Sequence, residues 1–192
     1  MIEPLPVIWI LGPTSAGKTT LARSLVERLR HQEKLTPVHW DGDDVRDLFG
    51  ENLDFSPESR LRVVRALVLL AAITSESGVL TIVSALTAHE DARQLVRESL
   101  PQLLSVYTHC PLDICIQRDP KGLYQKAIAG NIDTLIGYNE AYKPPEAPDL
   151  EINTSSLSVE AGVEALVEFL KNRGVLAPLP TDATESDGSW HE

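Results

Sequence analysis

Eight residues near the amino terminus, Gly12-Pro13-Thr14-Ser15-Ala16-Gly17-Lys18-Thr19, constrain this chain more than any other stretch. They follow residues 5–11, a continuous apolar run with β-branched members, the pattern of a strand buried on both faces. They precede a segment from Gly17 to about Gln32 whose apolar residues Leu21, Leu25, Val26 and Leu29 recur at helical spacing. The octapeptide fits G-x-x-x-x-G-K-[ST]. Its glycines let backbone N–H groups turn inward around phosphates, and the helix that follows aims its positive end at the same anion. Gly12 to Thr19, with Thr20 beside them, therefore read as a phosphate-binding loop for ATP. Lys18 is expected to reach the β- and γ-phosphates, and the Thr19 hydroxyl to ligate Mg²⁺.

Downstream, strand and helix patterns alternate. Strands are expected at residues 37–40, 79–84, 103–108 and 150–153, and helices at 57–77, 89–100, 112–118 and 158–171. Alternation of this kind implies a parallel sheet covered on both faces, an α/β fold of five strands. Ligands bind outside the carboxyl ends of such strands. Gly12 follows strand one, Asp41 and Asp43 follow strand two, and Ser84 and Thr87 follow strand three, so the chemical residues share one end of the sheet. Residues 119–148 hold Gly122, Gly130, Gly137 and four prolines with weak periodicity, and are expected to form a lid of loop and helix.

The chain has 192 residues, one domain's worth, and we expect that domain over residues 1–174. Residues 175–192 are expected to be a solvated acidic tail, since 181–192 hold Asp182, Glu185, Asp187 and Glu192 with no Lys or Arg. A net charge of −11 argues against a nucleic-acid partner, which would need clustered Lys and Arg. The apolar start is too short to span a bilayer and lacks the features of a signal peptide, so the cytoplasm is the expected location. Cys110 and Cys115 have no metal-like spacing.

Phosphoryl transfer requires one group to hold the metal and another to orient or deprotonate the acceptor hydroxyl. Asp41 and Asp43, two apart across Gly42, fit both roles: Asp41 for Mg²⁺, Asp43 for the acceptor. Each Asp also fits a bland role as the cap of a following helix. Arg46 lies one turn beyond and suits an acceptor anion. Ser84 and Thr87 fit substrate contact and capping of the next helix equally. His39 and the other isolated histidines have no partners at a catalytic spacing, and His89 reads as a helix start.

Here the chain resembles the adenylylsulfate (APS) kinases, a family with the P-loop kinase fold. Trp40-Asp41-Gly42-Asp43-Asp44-Val45-Arg46 is similar to the family's L-D-G-D-N-V-R, and Asn52-Leu53-Asp54-Phe55-Ser56 with Arg60 and Arg65 to its N-L-G-F-S…D-R…R-R. Arg118-Asp119-Pro120-Lys121-Gly122-Leu123-Tyr124 is the strongest match, and Leu157-Ser158-Val159-Glu160 follows the family near its end. The resemblance runs from about Pro6 to Leu170. It implies ATP-dependent phosphorylation of the 3′-hydroxyl of APS to give PAPS, and it suggests a homodimer. Arg46, Phe55 and Arg60 match family residues that bind APS, with Phe55 stacking on the adenine. Arg118 and Lys121 fall on the lid, where positive charge would meet transferring phosphate; their bland role is solvated surface charge. Thr154 falls where P-loop kinases often place the donor's adenine.

The acceptor side departs from the family. Val63 stands in place of an Asn, Leu135 in place of a second aromatic stacking residue, Thr87 in place of a serine, and Glu90 in place of a basic residue. Aromatic stacking on a base is worth about 1–3 kcal/mol, and an inward Glu90 would repel an anionic acceptor. Three readings follow: an APS kinase, a relative acting on another nucleotide such as a cytidine diphosphoramidate, or a regulatory nucleotide-binding module. The retention of Lys18, Asp41, Asp43 and Lys121 argues against the third.

Overall fold

The computed structural model describes residues 3–50 and 53–177, so Asn52 and the acidic stretch 181–192 lie outside the described residues. The elements run β1 (Val7–Leu11), α1 (Lys18–His31), β2 (Val38–Asp41), α2 (Gly42–Asp47), α3 (Pro57–Glu76), β3 (Thr81–Ala85), α4 (Glu90–Ser99), β4 (Leu103–His109), α5 (Leu112–Arg118), α6 (Leu123–Ile128), β5 (Leu150–Asn153) and α7 (Val159–Asn172). All strand pairings are parallel, in the order β2-β3-β1-β4-β5. The first strand is thus central, which explains why its apolar run is unbroken: both of its faces are covered.

Successive side chains of β1 point to opposite faces of the sheet. Ile8 and Ile10 join Leu21, Leu25, Leu29, Val163, Leu166 and Leu170 beneath α1 and α7. Val7, Trp9 and Leu11 join Val45, Val63, Leu67 and Val96 beneath α2, α3 and α4. Leu176, just past the end of α7, is buried with the first of these layers. A third, smaller cluster packs Tyr124, Ala127 and Leu135 of the insertion against Ala16, Cys110 and Cys115. This anchors 119–148 over the phosphate loop rather than leaving it free.

The acidic segment at 41–44 is a short helix, α2, and not only a turn. Asp41 is its N-cap and accepts a hydrogen bond from the Asp43 N–H at 2.9 Å, while Asp43 and Asp44 in the first turn suit the helix dipole. Six residues are too few to show a helical period, which is why the sequence reads there as an acidic turn. The helix α3 begins with Ser56 as N-cap and Pro57 at its first position, a favoured start. Among the described residues no helix is long and apolar enough to cross a membrane.

Leu166 of α7 is fully buried in the layer beneath α1. Leu166→Ala is expected to lower unfolding stability by about 2–5 kcal/mol, measured by urea denaturation. A loss under about 1 kcal/mol would mean that this layer relaxes to fill the void.

Candidate active site

Gly12 leaves β1 with φ 154° against the backbone of β4. A Cβ there would lie 2.2 Å from Thr108 Oγ1 and 2.6 Å from the Thr108 carbonyl, so only glycine lets the loop turn at this point. Gly17 adopts φ 85° as the N-cap of α1, a left-handed conformation that favours glycine. Pro13 and Ala16 are buried beneath the loop. Thr14, Ser15, Gly17, Lys18, Thr19 and Thr20 line one end of a cavity of about 740 Å³. Lys18 Nζ donates to the Pro13 carbonyl at 2.7 Å. Burial pushes its pKa down to about 8, against the opposing pull of Asp43 and Asp41.

Asp41 sits at the end of β2, in register with Ser84 on β3. Its Oδ2 accepts from the Ser84 hydroxyl at 2.6 Å and from the Thr19 hydroxyl at 2.7 Å. Burial opposes ionisation of this carboxyl, but the hydrogen bonds from Ser84, Thr19 and the Asp43 N–H outweigh it and hold its pKa below the usual value. A hydroxyl and a carboxylate this close form the hard-oxygen pair that suits Mg²⁺, a cation that keeps several water ligands. Among the described residues no cluster of three or more His, Cys, Asp or Glu side chains forms a larger metal site.

Across the cavity, Lys121 from the insertion forms an ion pair with Asp43. Arg46 and Arg60 both approach the Phe55 ring, at 4.8 and 5.7 Å from its centre. Arg60 also donates to the Thr134 carbonyl at 2.7 Å, joining α3 to the insertion beside Leu135. Val63 and Leu135 line the same cavity and are otherwise buried. At the sheet's far side, Arg118 Nη2 donates to the Thr154 carbonyl, and Thr154 Oγ1 donates to the Ala16 carbonyl at 2.8 Å. Of the residues expected from sequence at the donor and acceptor ends, all but the buried Gly12, Pro13 and Ala16 line one continuous cleft.

Three expectations change. Glu90 does not face the cleft: its carboxylate accepts from Arg97 at 2.5 Å and lies 3.7 Å from Arg93. The first turn of α4 directs it along its own helix, so the repulsion expected of an inward Glu90 is absent. Neither Ser84 nor Thr87 caps α4, whose N-cap is His89 without a side-chain bond. Thr87 instead accepts from Trp9 Nε1 at 2.9 Å and holds φ 38°, a left-handed conformation that costs a β-branched residue about 1–3 kcal/mol. His39 has a partner after all, with Nε2 2.8 Å from Ser84 Oγ. The Ser84 hydroxyl donates to Asp41, so it accepts from His39, and burial holds the His39 pKa below its usual value. The strand period of two, which puts His39 and Asp41 on one face, carries this signal. Nothing in the pattern of α4 singles out Arg93.

The loop, the central parallel sheet and the cleft at its carboxyl edge define a P-loop kinase fold. The shikimate kinase of Aquifex aeolicus shares that fold at 15% identity, with a TM-score of 0.55 over 88% of this chain and 98% of the other. The family is closer at hand: the profile of the adenylylsulphate kinases matches residues 5–153, and the chain belongs to that family. The probable adenylyl-sulfate kinase of Pyrococcus abyssi is 37% identical over 169 residues, covering 88% of this chain and 97% of the relative. That of Archaeoglobus fulgidus is 40% identical over 148 residues, covering 77% and 95%. The structure of the Mycobacterium tuberculosis APS kinase CysC in complex with AMPPNP and APS superposes with a TM-score of 0.82 at 29% identity, covering 88% and 99%.

Gly12→Ala is expected to abolish nucleotide binding and to destabilise the protein by more than about 2 kcal/mol, because the new Cβ meets backbone that cannot yield. Gly122→Ala, with φ 65° and nothing within 4 Å, is expected to cost only the strain of about 1–2 kcal/mol and to spare binding. Calorimetric titration with ADP and thermal melts check both; retained ADP binding in Gly12→Ala would refute the crowding argument.

Proposed function

We propose that this chain phosphorylates the 3′-hydroxyl of adenosine 5′-phosphosulfate, using ATP with Mg²⁺, to give PAPS and ADP. The observation that carries the reading is the single cleft, in which a phosphate loop faces an acidic and aromatic acceptor end in a chain of the adenylylsulfate kinase family. The loop and Thr20 hold the donor's phosphates, with Lys18 on the β- and γ-oxygens. Arg118 and Thr154 border its base. Arg46, Phe55 and Arg60 receive the acceptor, Phe55 stacking on its adenine and the guanidiniums offsetting its charge. Ser84, Thr87 and Leu135 complete the wall of that pocket.

Asp43 accepts the proton as the 3′-oxygen attacks the γ-phosphorus in line, and the bond to the β,γ-bridging oxygen breaks to release ADP. Lys18 and Lys121 offset charge that develops on the transferring group. Lys121 neutralises Asp43, so the acceptor must displace or share that ion pair. Residues 119–148 act as a lid that excludes water and suppresses hydrolysis of ATP. Thr19 and Asp41 are the residues that would hold Mg²⁺, which would offset the charge gathered on the phosphates. The two unpaired, buried thiols Cys110 and Cys115 fit a reducing compartment, and the cytoplasm is the proposed location.

A second reading, transfer to another nucleotide such as a cytidine diphosphoramidate, is favoured by one observation. The cleft wall at Val63 and Leu135 is aliphatic, where the resembled family carries an Asn and an aromatic ring. A coupled assay of ADP release separates the readings. Turnover with micromolar APS supports the first; release only with the cytidine compound sinks it. ADP binding without release from any acceptor would favour a regulatory module. Asp43→Asn is expected to cut turnover by about 10²–10⁴-fold while leaving ADP affinity within about twofold. Unchanged turnover would refute the role given to Asp43.

A further inference from the structure

Arg93 of α4 is a charged side chain only 5% exposed, and its partners belong to two different parts of the molecule. Nε donates to the Thr87 carbonyl at 3.0 Å, within the turn that lines the acceptor end of the cleft. Nη2 donates to the Lys143 carbonyl, in the strap that returns from the insertion to β5. The guanidinium also lies 5.4 Å from the centre of the Tyr142 ring, which stacks on Tyr107 of β4 with 2° between planes. Glu90, 3.7 Å away, is shared with Arg97, so Arg93's closest bonds are to backbone rather than to a carboxylate. A buried charge is tolerated only when its donors are satisfied, and here two carbonyls satisfy it only if both segments keep their places.

The turn it holds is the strained one. A β-branched residue keeps a left-handed φ only where its surroundings over-determine it. At Thr87 (φ 38°) the surroundings do so twice, through Trp9 on the hydroxyl and Arg93 on the carbonyl. We propose that Arg93 is a positioning residue: its one guanidinium ties the strained Thr87 turn to the strap at 142–143, so that acceptor pocket and lid root share a single anchor. The kinetic part rests on the phosphoryl-transfer reading above; the mechanical part does not.

The test compares Arg93→Met, which keeps the stem and removes both bonds, with Trp9→Phe, which removes the bond to Thr87 and leaves both Arg93 bonds in place. Tyr142→Phe is the control, since the Tyr142 hydroxyl has no hydrogen-bond partner among the described residues. Amide hydrogen exchange without substrate is expected to rise at both 85–89 and 139–148 in Arg93→Met, at 85–89 alone in Trp9→Phe, and at neither in Tyr142→Phe. With substrates, Arg93→Met and Trp9→Phe are each expected to raise KM for the acceptor about tenfold, with ADP affinity within about twofold. If Arg93→Met does not fold, Arg93→Lys, able to reach only one carbonyl, is expected to release one of the two segments. An unchanged acceptor KM in a folded Arg93 variant, equal losses for ATP and acceptor, or exchange confined to 85–89 in Arg93→Met would overturn the proposal. If the unaltered protein does not turn over APS, the functional reading fails while the exchange data still decide the anchor.

Discussion

The Asp41 carboxylate is the contact on which the donor end depends. It is 5% exposed, and a buried charge is costly unless it is hydrogen-bonded. Its donors come from three elements: Thr19 at the start of α1, Ser84 near the end of β3, and the Asp43 N–H that opens α2. One anion thus fixes the distance from the phosphate loop to the second and third strands and starts the helix that carries Asp43 and Arg46. Hydrogen bonds to charged groups are worth about 1.5–3 kcal/mol each. The arrangement is therefore both a structural clasp and a place where a divalent cation would find oxygen ligands.

From there the cleft divides by rigidity. The donor end is built from backbone: a loop held by Gly12 against Thr108 and closed by Thr154 on the Ala16 carbonyl. The acceptor end is built from long side chains on separate segments, with Arg46 and Arg60 around Phe55 and Lys121 reaching in from the insertion. Long side chains carry more rotamer entropy than packed backbone. The acceptor end accordingly needs anchors outside the pocket, which is the part given to Arg93 and Trp9.

The strand and helix pattern, the burial of the first strand on both faces and the phosphate loop were legible because each depends on local periodicity or on glycine. What was not legible depends on side-chain partners or on elements too short to show a period. The direction of Glu90 was open, and α4 turns it onto Arg93 and Arg97. Thr87 read as a cap or a contact, and its left-handed turn is held by Arg93 and by Trp9, the latter 78 residues away. His39 read as a bystander because its partner Ser84 lies on another strand. The helix α2 was hidden by its six residues. For Thr87 and His39 the deciding interaction joins residues distant in the chain, which no local pattern reports.

The claim that Asp41 organises the donor end is tested most directly by the Mg²⁺ dependence of nucleotide affinity in Asp41→Asn, a change that keeps shape and removes charge. Titration with a non-hydrolysable ATP analogue is expected to give Mg²⁺-free affinities within about threefold of the unaltered protein, and to lose about tenfold or more of the affinity that Mg²⁺ adds. A gain from Mg²⁺ as large in Asp41→Asn as in the unaltered protein would contradict the account.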